Sequence, residues 1–181
     1  MVIETDRLIL REWQLSDADD LIEGLNCFEV AKNLVTPFPY TKEDANQYIS
    51  KHAKHTNFDY HFAIVLKGSN NVIGGTSLNV DKQNGKAGGG IWLKPKYFGK
   101  GYGTEVYIAR IKFAFENLQI QSLEEDVYDH NESSKHLHQK LGFKIVAESN
   151  DYNNALQMQV KGHLYKLIKD DFYNAIKKIK K

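Results

Sequence analysis

The chain has 181 residues, 41% of them hydrophobic, and carries 24 Lys and Arg against 23 Asp and Glu, a formal net charge of +1. That length fits one domain with a sizeable core, and the near balance of charge excludes the broad basic field of a nucleic-acid binder. The single cysteine, Cys27, excludes an internal disulfide and fits a reducing compartment. The start, Met-Val-Ile-Glu-Thr-Asp-Arg, lacks the pattern of a secretory signal, and no run approaches the ~20 apolar residues of a membrane span. The expectation is a soluble cytoplasmic protein, residues 1–181 forming one domain.

In chain order, Arg7 to Trp13 reads as a strand. Ser16 then caps a helix over roughly Asp17 to Leu25, with Asp19 three residues on. Thr36 to Tyr40, with Pro37 and Pro39, is a loop. Thr41, with Asp44 three residues on, opens a second helix through about Lys54. Strands follow at Tyr60 to Leu66 and Val72 to Val80, and Asn84-Gly85 is a hairpin turn into a strand from Lys86 to Lys94. A helix runs from Thr104 to Leu118, with Ile108, Ile111, Phe115 and Leu118 on one face. Ser122 to Tyr128 alternates as a strand. Asn131 to Phe143 holds a short helix stopped at Gly142. Phe143 to Glu148 and Gly162 to Ile168 are late strands, and Asp170 opens a terminal helix. The order is that of a mixed α/β sheet with helices packed on it.

The most informative stretch is Gly90 to Thr104, an apolar run, a turn, then glycines alternating with Lys100 and Tyr102 before a helix. A glycine-rich turn feeding a helix start presents free backbone N–H groups and the positive end of the helix dipole, which suits a phosphate. Gly99-Lys100-Gly101 lacks the Ser or Thr of the nucleotidase phosphate loop, and the Gly-x-Gly-x-Gly spacing is not that of the dinucleotide fingerprint. A flexible connector is the plain alternative. Gly88-Gly89-Gly90 inside a strand marks a bulge or a close backbone approach.

Three blocks then resemble the GNAT superfamily of N-acetyltransferases, in particular its ribosomal-protein N-terminal acetyltransferase-like branch. They are Glu4-Thr-Asp-Arg-Leu-Ile-Leu-Arg11, Trp92 to Thr104, and Asn131 to Phe143, in the same order and spacing, so the likeness spans essentially the whole chain. It implies a mixed, mostly antiparallel central sheet flanked by helices and splayed at the fourth and fifth strands. It also implies acetyl-CoA as co-substrate. The pantetheine arm would pair with backbone at Ile91 and Leu93, and the pyrophosphate would rest on Gly99, Lys100, Gly101, Tyr102, Gly103 and Thr104. Asn131 and Ser134 resemble residues that hold the pantetheine amide, although Asn131 is also a helix N-cap. Phe98 replaces a common Arg or Gln, which removes one contact to phosphate. On this resemblance Gly88 to Gly90 is the splay that admits the acetyl group and offers a backbone N–H to the thioester oxygen.

Acetyl transfer needs a neutral amine, a stabilised oxyanion and a protonated leaving thiolate. The family's acid position is occupied here by His138. Gly88 stands where relatives often carry a glutamate base, which leaves Glu125 and Asp126, acting through water, as candidates. A site without a strong carboxylate suits an α-amine, whose reference pKa is about 8, better than a lysine amine at about 10.4. The expected activity is therefore acetylation of a protein or peptide N-terminal amine by direct attack in a ternary complex. Acetylation of a small amine (polyamine, aminoglycoside or amino acid) is the alternative, and a non-catalytic acyl-CoA-binding module another. His52 and His55 can share a helix face, but two histidines do not make a metal site. Trp13, Tyr40 and Tyr165 read as core, and Lys177 to Lys181 as a solvated helix end. Dimers are common in this branch, so a homodimer is one assembly that the resemblance implies.

Overall fold

The computed structural model describes residues 1–56 and 58–179. Strands β1 (Val2–Glu4) and β2 (Leu8–Arg11) pair antiparallel. Helices α1 (Ala18–Leu25), α2 (Phe28–Ala31) and α3 (Lys42–His52) follow. Four strands come next, β3 (Asp59–Leu66), β4 (Val72–Asp81), β5 (Lys86–Gly88) and β6 (Ile91–Leu93). The chain then forms α4 (Tyr102–Asn117), β7 (Ser122–Tyr128) and α5 (Glu132–Lys140). It ends with β8 (Lys144–Asn153), β9 (Met158–Ile168) and α6 (Lys169–Ile179). Among the described residues these strands form one sheet in the order β1-β2-β3-β4-β5-β7-β9-β8, with β6 paired to β4. Every one of these pairings is antiparallel except β5 with β7.

Local chemistry explains most boundaries. Thr41 caps α3 as expected, its Oγ1 accepting from Asp44 N at 3.1 Å while Thr41 N donates to Asp44 Oδ2 at 2.8 Å. Gly142, at φ 95°, is the left-handed stop after α5. Several expectations need correction. Ser16 does not cap the first helix. The turn at Leu15–Asp17 is closed by Gln14 N donating to Asp17 Oδ2 at 2.8 Å, and Arg11 binds both oxygens of that carboxylate at 2.7 and 2.9 Å. His55 lies beyond the end of α3, so it shares no helix face with His52. The strand expected over Lys86 to Lys94 is broken, because a Cβ at Gly89 would sit 2.1 Å from Ser77 O. β8 and β9 run longer than expected because they pair with each other, from Lys144↔Lys166 to Asn153↔Met158, through a polar sequence with no apolar signal. Lys177 and Lys178 lie in the last turn of α6, whereas Lys180 and Lys181 fall outside the described residues.

Strand alternation gives the sheet two faces. One packs Phe62, Leu78 and Leu123 against Val106, Ile111 and Phe115 of α4 and Phe172 of α6. The other packs Ala63 and Val65 with Trp13 against Leu21 of α1 and Ile49 of α3. Trp13, Tyr40 and Tyr165 are all buried, as expected of core residues.

His61 points to the α1–α3 face, where Tyr48 Oη is hydrogen-bonded to its Nδ1 at 2.9 Å and the His52 ring stacks with a 3.6 Å centroid distance. Burial first, then the charges of His52, His55 and Lys51, push its pKa down to about 3. The unfolded histidine titrates near 6.5, so between those values the unfolded chain binds more protons. Stability is full above about pH 6.5 and is lost as pH falls toward 3, by up to about 1.4 kcal/mol per pH unit. We expect urea midpoints to fall across that window, and His61→Asn to flatten the fall. A slope unchanged in that variant would assign it to other groups.

Candidate active site

β5 and β7 run side by side for two rows only, Lys86↔Ser122 and Ala87↔Leu123. At Gly88 the backbones are so close that a Cβ would meet Glu124 O at 2.5 Å. Beyond that point the strands part. β6 stays with β4, β7 stays with β9, and a fork opens between Ile91–Leu93 and Glu124–Tyr128. Gly90 O accepts from Ser77 N at 3.1 Å and Lys94 N donates to Ile73 O at 2.8 Å. Antiparallel alternation therefore directs the backbone groups of Ile91 and Leu93 away from β4 and into the fork. These are the two residues expected to pair with pantetheine.

One end of the fork meets the start of α4. Gly99 and Gly101 have φ of 70° and 80°, which only glycine adopts without strain. Among the described residues, none of the N–H groups of Gly99, Lys100, Gly101, Tyr102, Gly103 and Thr104 has a hydrogen-bond partner; the first helical bond runs from Glu105 N to Gly101 O at 3.1 Å. That row of donors fits a pyrophosphate, with the helix dipole adding to it. Glu105 would repel an anion there, but Arg7 meets it at 2.7 Å, and Thr5 Oγ1 and Arg7 N donate to it at 2.6 and 2.9 Å. Burial alone would raise the Glu105 pKa, yet these partners hold it below the ordinary range. Arg7 also donates to Lys100 O at 3.0 Å and covers the Tyr102 ring at 4.4 Å. The Glu4 to Arg11 block is thus the brace of the glycine loop. Phe98 is exposed beside it.

Asn131 caps α5, its Oδ1 accepting from Ser134 N at 3.2 Å. His138 and Glu125 are enclosed on the α4 face, each about 1% exposed at the side chain. The Glu125 carboxylate accepts from Arg110 Nη2 at 2.5 Å and from Tyr107 Oη at 3.1 Å, and His138 Nε2 lies 3.1 Å from it. Burial by itself would raise the Glu125 pKa, but Arg110 and His138 keep it below the usual carboxylate range. Burial, followed by the Glu125 charge, drives Tyr107 well above its ordinary value. His138 Nδ1 faces Ser134 O at 2.8 Å, so it donates there. Both ring nitrogens of His138 are therefore engaged, and neither reaches the open fork.

Asp126, the neighbour of Glu125, points to the opposite face and is exposed. That face is roofed from a distance. Asn153 Nδ2 donates to Lys32 O and Leu34 O at 3.0 and 2.9 Å, and Asn154 Nδ2 to Thr36 O at 2.9 Å. The α2–α3 connection is thereby tied to the tip of the β8–β9 hairpin, across the open side of the fork. On the β4 side, α1 sits directly on Trp92, and Lys94 is held by Asp20 and Glu23 at 2.5 Å each.

Sequence reasoning missed Tyr107 and Arg110. Their signal was a charge within an apolar helix face, for Val106, Arg110, Ile111 and Ala114 are all fully buried, whereas Ile108 and Leu118 are only half-buried.

Residues 7–144 match the family model of the acetyltransferase (GNAT) domain. The chain belongs to the GNAT acetyltransferase family. An N-acetyltransferase of Bacillus licheniformis, p20, described as uncharacterized, is 30% identical over 172 residues, 93% of this chain and 96% of its own. Two solved GNAT-type folds illustrate the range. Spermidine N-acetyltransferase from Vibrio cholerae, in complex with CoA and spermine, gives a TM-score of 0.79 at 19% identity over 94% of this chain and 100% of its own. Ribosomal-protein-S5-alanine acetyltransferase from Vibrio fischeri gives 0.76 at 22% identity over 95% and 98%. The family uses acetyl-CoA. We expect Gly101→Ala, which forces a side chain into left-handed backbone at a cost of about 1–2 kcal/mol, to weaken acetyl-CoA binding about ten-fold by calorimetry while the far-UV spectrum stays native. Unchanged affinity would mean that the loop does not carry the diphosphate.

Proposed function

We propose that this GNAT enzyme transfers the acetyl group of acetyl-CoA to the N-terminal α-amine of a protein or peptide, by direct attack with both substrates bound. The observation that carries the first half is the row of donors from Gly99 to Thr104 that have no partner among the described residues, beside the free backbone edge at Ile91 and Leu93. Diphosphate on the loop and pantetheine along β6 would aim the thioester into the fork, with Asn131 and Ser134 alongside. Cys27 lies on the α1–α3 side, packed with that core cluster, which fits a route without an acyl-enzyme.

The chemistry divides between the two faces of β7. The amine nitrogen attacks the thioester carbon from the α1 side, where Asp126, acting through water, is placed to receive its proton. Charge developing on the carbonyl oxygen meets a backbone N–H at the fork. The C–S bond breaks and CoA leaves as thiolate. Thiols are far more acidic than alcohols, the cysteine side chain having a reference pKa near 8.5, so a thiolate is a good leaving group near neutral pH. Solvent can protonate it, and the reaction does not depend on His138 as the acid.

Both a polyamine and a ribosomal protein are acetylated by folds like this one, so the acceptor is argued from this chain's own residues. Gly88 has no room for a carboxylate, since even a Cβ would press on Glu124 O. The α1 acids Asp20 and Glu23 are already bound to Lys94. Apart from Asp126 and the one α1 charge that Lys94 leaves unbalanced, these groups offer a polycation no free carboxylate. A lysine-type amine would need roughly 3 kcal/mol more than an α-amine to be neutral at pH 7. At pH 7 we expect a peptide with a free N-terminus to be acetylated faster than spermidine or an N-blocked lysine peptide, the gap narrowing toward pH 9. Equal rates at pH 7 would sink the α-amine assignment. Asp126→Asn is expected to lower kcat/KM about 100-fold at pH 7, in the range of a general base, with partial recovery at higher pH. A rate within two-fold of wild type would remove Asp126 from the reaction.

A further inference from the structure

Among the described residues, the only polar groups that the buried Arg110–Glu125 pair touches outside its own cluster are backbone carbonyls at the fork. Arg110 Nη1 donates to Ser77 O at 2.8 Å and reaches Gly90 O at 3.5 Å. Its side chain and that of Glu125 are 0% and 1% exposed. Such a pair is a weak source of stability, because the desolvation of both charges offsets their attraction. Packed apolar side chains would do as well for the core alone. What apolar side chains cannot do is hold a carbonyl.

Gly90 O also accepts from Ser77 N at 3.1 Å and from Thr76 Oγ1 at 2.9 Å. Two donors therefore hold this oxygen, and Arg110, anchored on the neighbouring Ser77 O, stands within reach of it as a third, in a glycine stretch that has no side chain to stiffen it. A trans peptide holds its C=O and the following N–H in one rigid plane, pointing in opposite directions. Tethering Gly90 O toward β4 and α4 turns the N–H of Ile91 the other way, into the fork.

We propose that Arg110, held in place by Glu125, is a positioning residue. It sets the Gly90–Ile91 peptide plane so that the Ile91 N–H meets the carbonyl oxygen of the bound acetyl group. Glu125 in turn is fixed by Tyr107 and His138, so the cluster works as one strut from α4, α5 and β7 to the bend between β5 and β6. Glu125 is then not a base but the counter-ion that orients the guanidinium. This inference rests on the acetyl-CoA reading above.

The test reads the thioester carbonyl directly, with no acceptor needed. Isotope-edited infrared spectra of acetyl-CoA labelled with carbon-13 at the carbonyl are recorded free, bound to wild type, and bound to Arg110→Met/Glu125→Gln. That double variant removes both charges together and leaves a side-chain amide whose oxygen still accepts from Tyr107. Wild type should shift the carbonyl stretch to lower frequency. The variant should bind acetyl-CoA within about three-fold of wild type, lose most of the shift, and turn over an N-terminal peptide at least ~10-fold more slowly in kcat, toward the loss seen when an oxyanion donor is removed. A folded variant with the wild-type shift and kcat would overturn the proposal, as would a wild type that binds acetyl-CoA with no shift. Should the double variant not fold, Arg110→Lys keeps a positive charge beside Glu125 and removes the Nη1 donor. A reduced shift there supports Arg110 as the positioning residue, and a wild-type shift overturns it. A wild type that binds no acetyl-CoA would instead remove the reading beneath.

Discussion

Two adjacent strands that hydrogen-bond for two rows and then separate leave backbone groups without partners in the middle of a sheet. Ordinarily such groups are satisfied, because an orphaned buried donor or acceptor costs as much as a lost hydrogen bond. Here the sheet tolerates the break only because the edge of β6 faces an open fork that water or a ligand strand can fill. The rest of the molecule is arranged around that break. Gly88 and Gly89 let the backbones crowd together at the apex, where side chains would strike Glu124 O and Ser77 O. α4 begins where the fork ends, so its unpartnered N–H groups extend the same line of donors.

Charge is partitioned by the alternation of one strand. Glu125 and Asp126 are neighbours, yet the first is sealed against Arg110 and His138 while the second is exposed on the opposite face. A period of two puts one carboxylate in the scaffold and offers the other to solvent. The same rule sends Ile91 and Leu93 toward the α4 face and Trp92 beneath α1.

Long-range ties hold the walls. Arg7 neutralises Glu105 and props the glycine loop from 98 residues away in sequence. Asn153 and Asn154 hold the α2–α3 connection by its carbonyls, at sequence separations near 120. Each tie uses charged or amide groups on backbone atoms, which fix a loop's path more specifically than apolar contact does. That side of the sheet is therefore framed by a loop that has no regular structure of its own but has several of its carbonyls satisfied.

Much of this was legible in the residues themselves. Helix caps such as Thr41, the stop at Gly142 and the glycine loop before α4 are local, because each depends on backbone conformation within a few positions. The three family-like blocks placed them in order, and with them the splayed sheet. Other features depended on which atoms the fold brings together. Glu125 and Asp126 looked alike as text, and only the strand's two faces separated them. His138 looked like a free acid on a short helix, and Arg110 like an ordinary helix residue. Burial and a shared carboxylate joined them, since electrostatic partners are set by distance in space and not along the chain. Local geometry, then, was written in the amino-acid order, while the state and role of each charge were decided by tertiary packing, which alone determines what surrounds it and how much water remains.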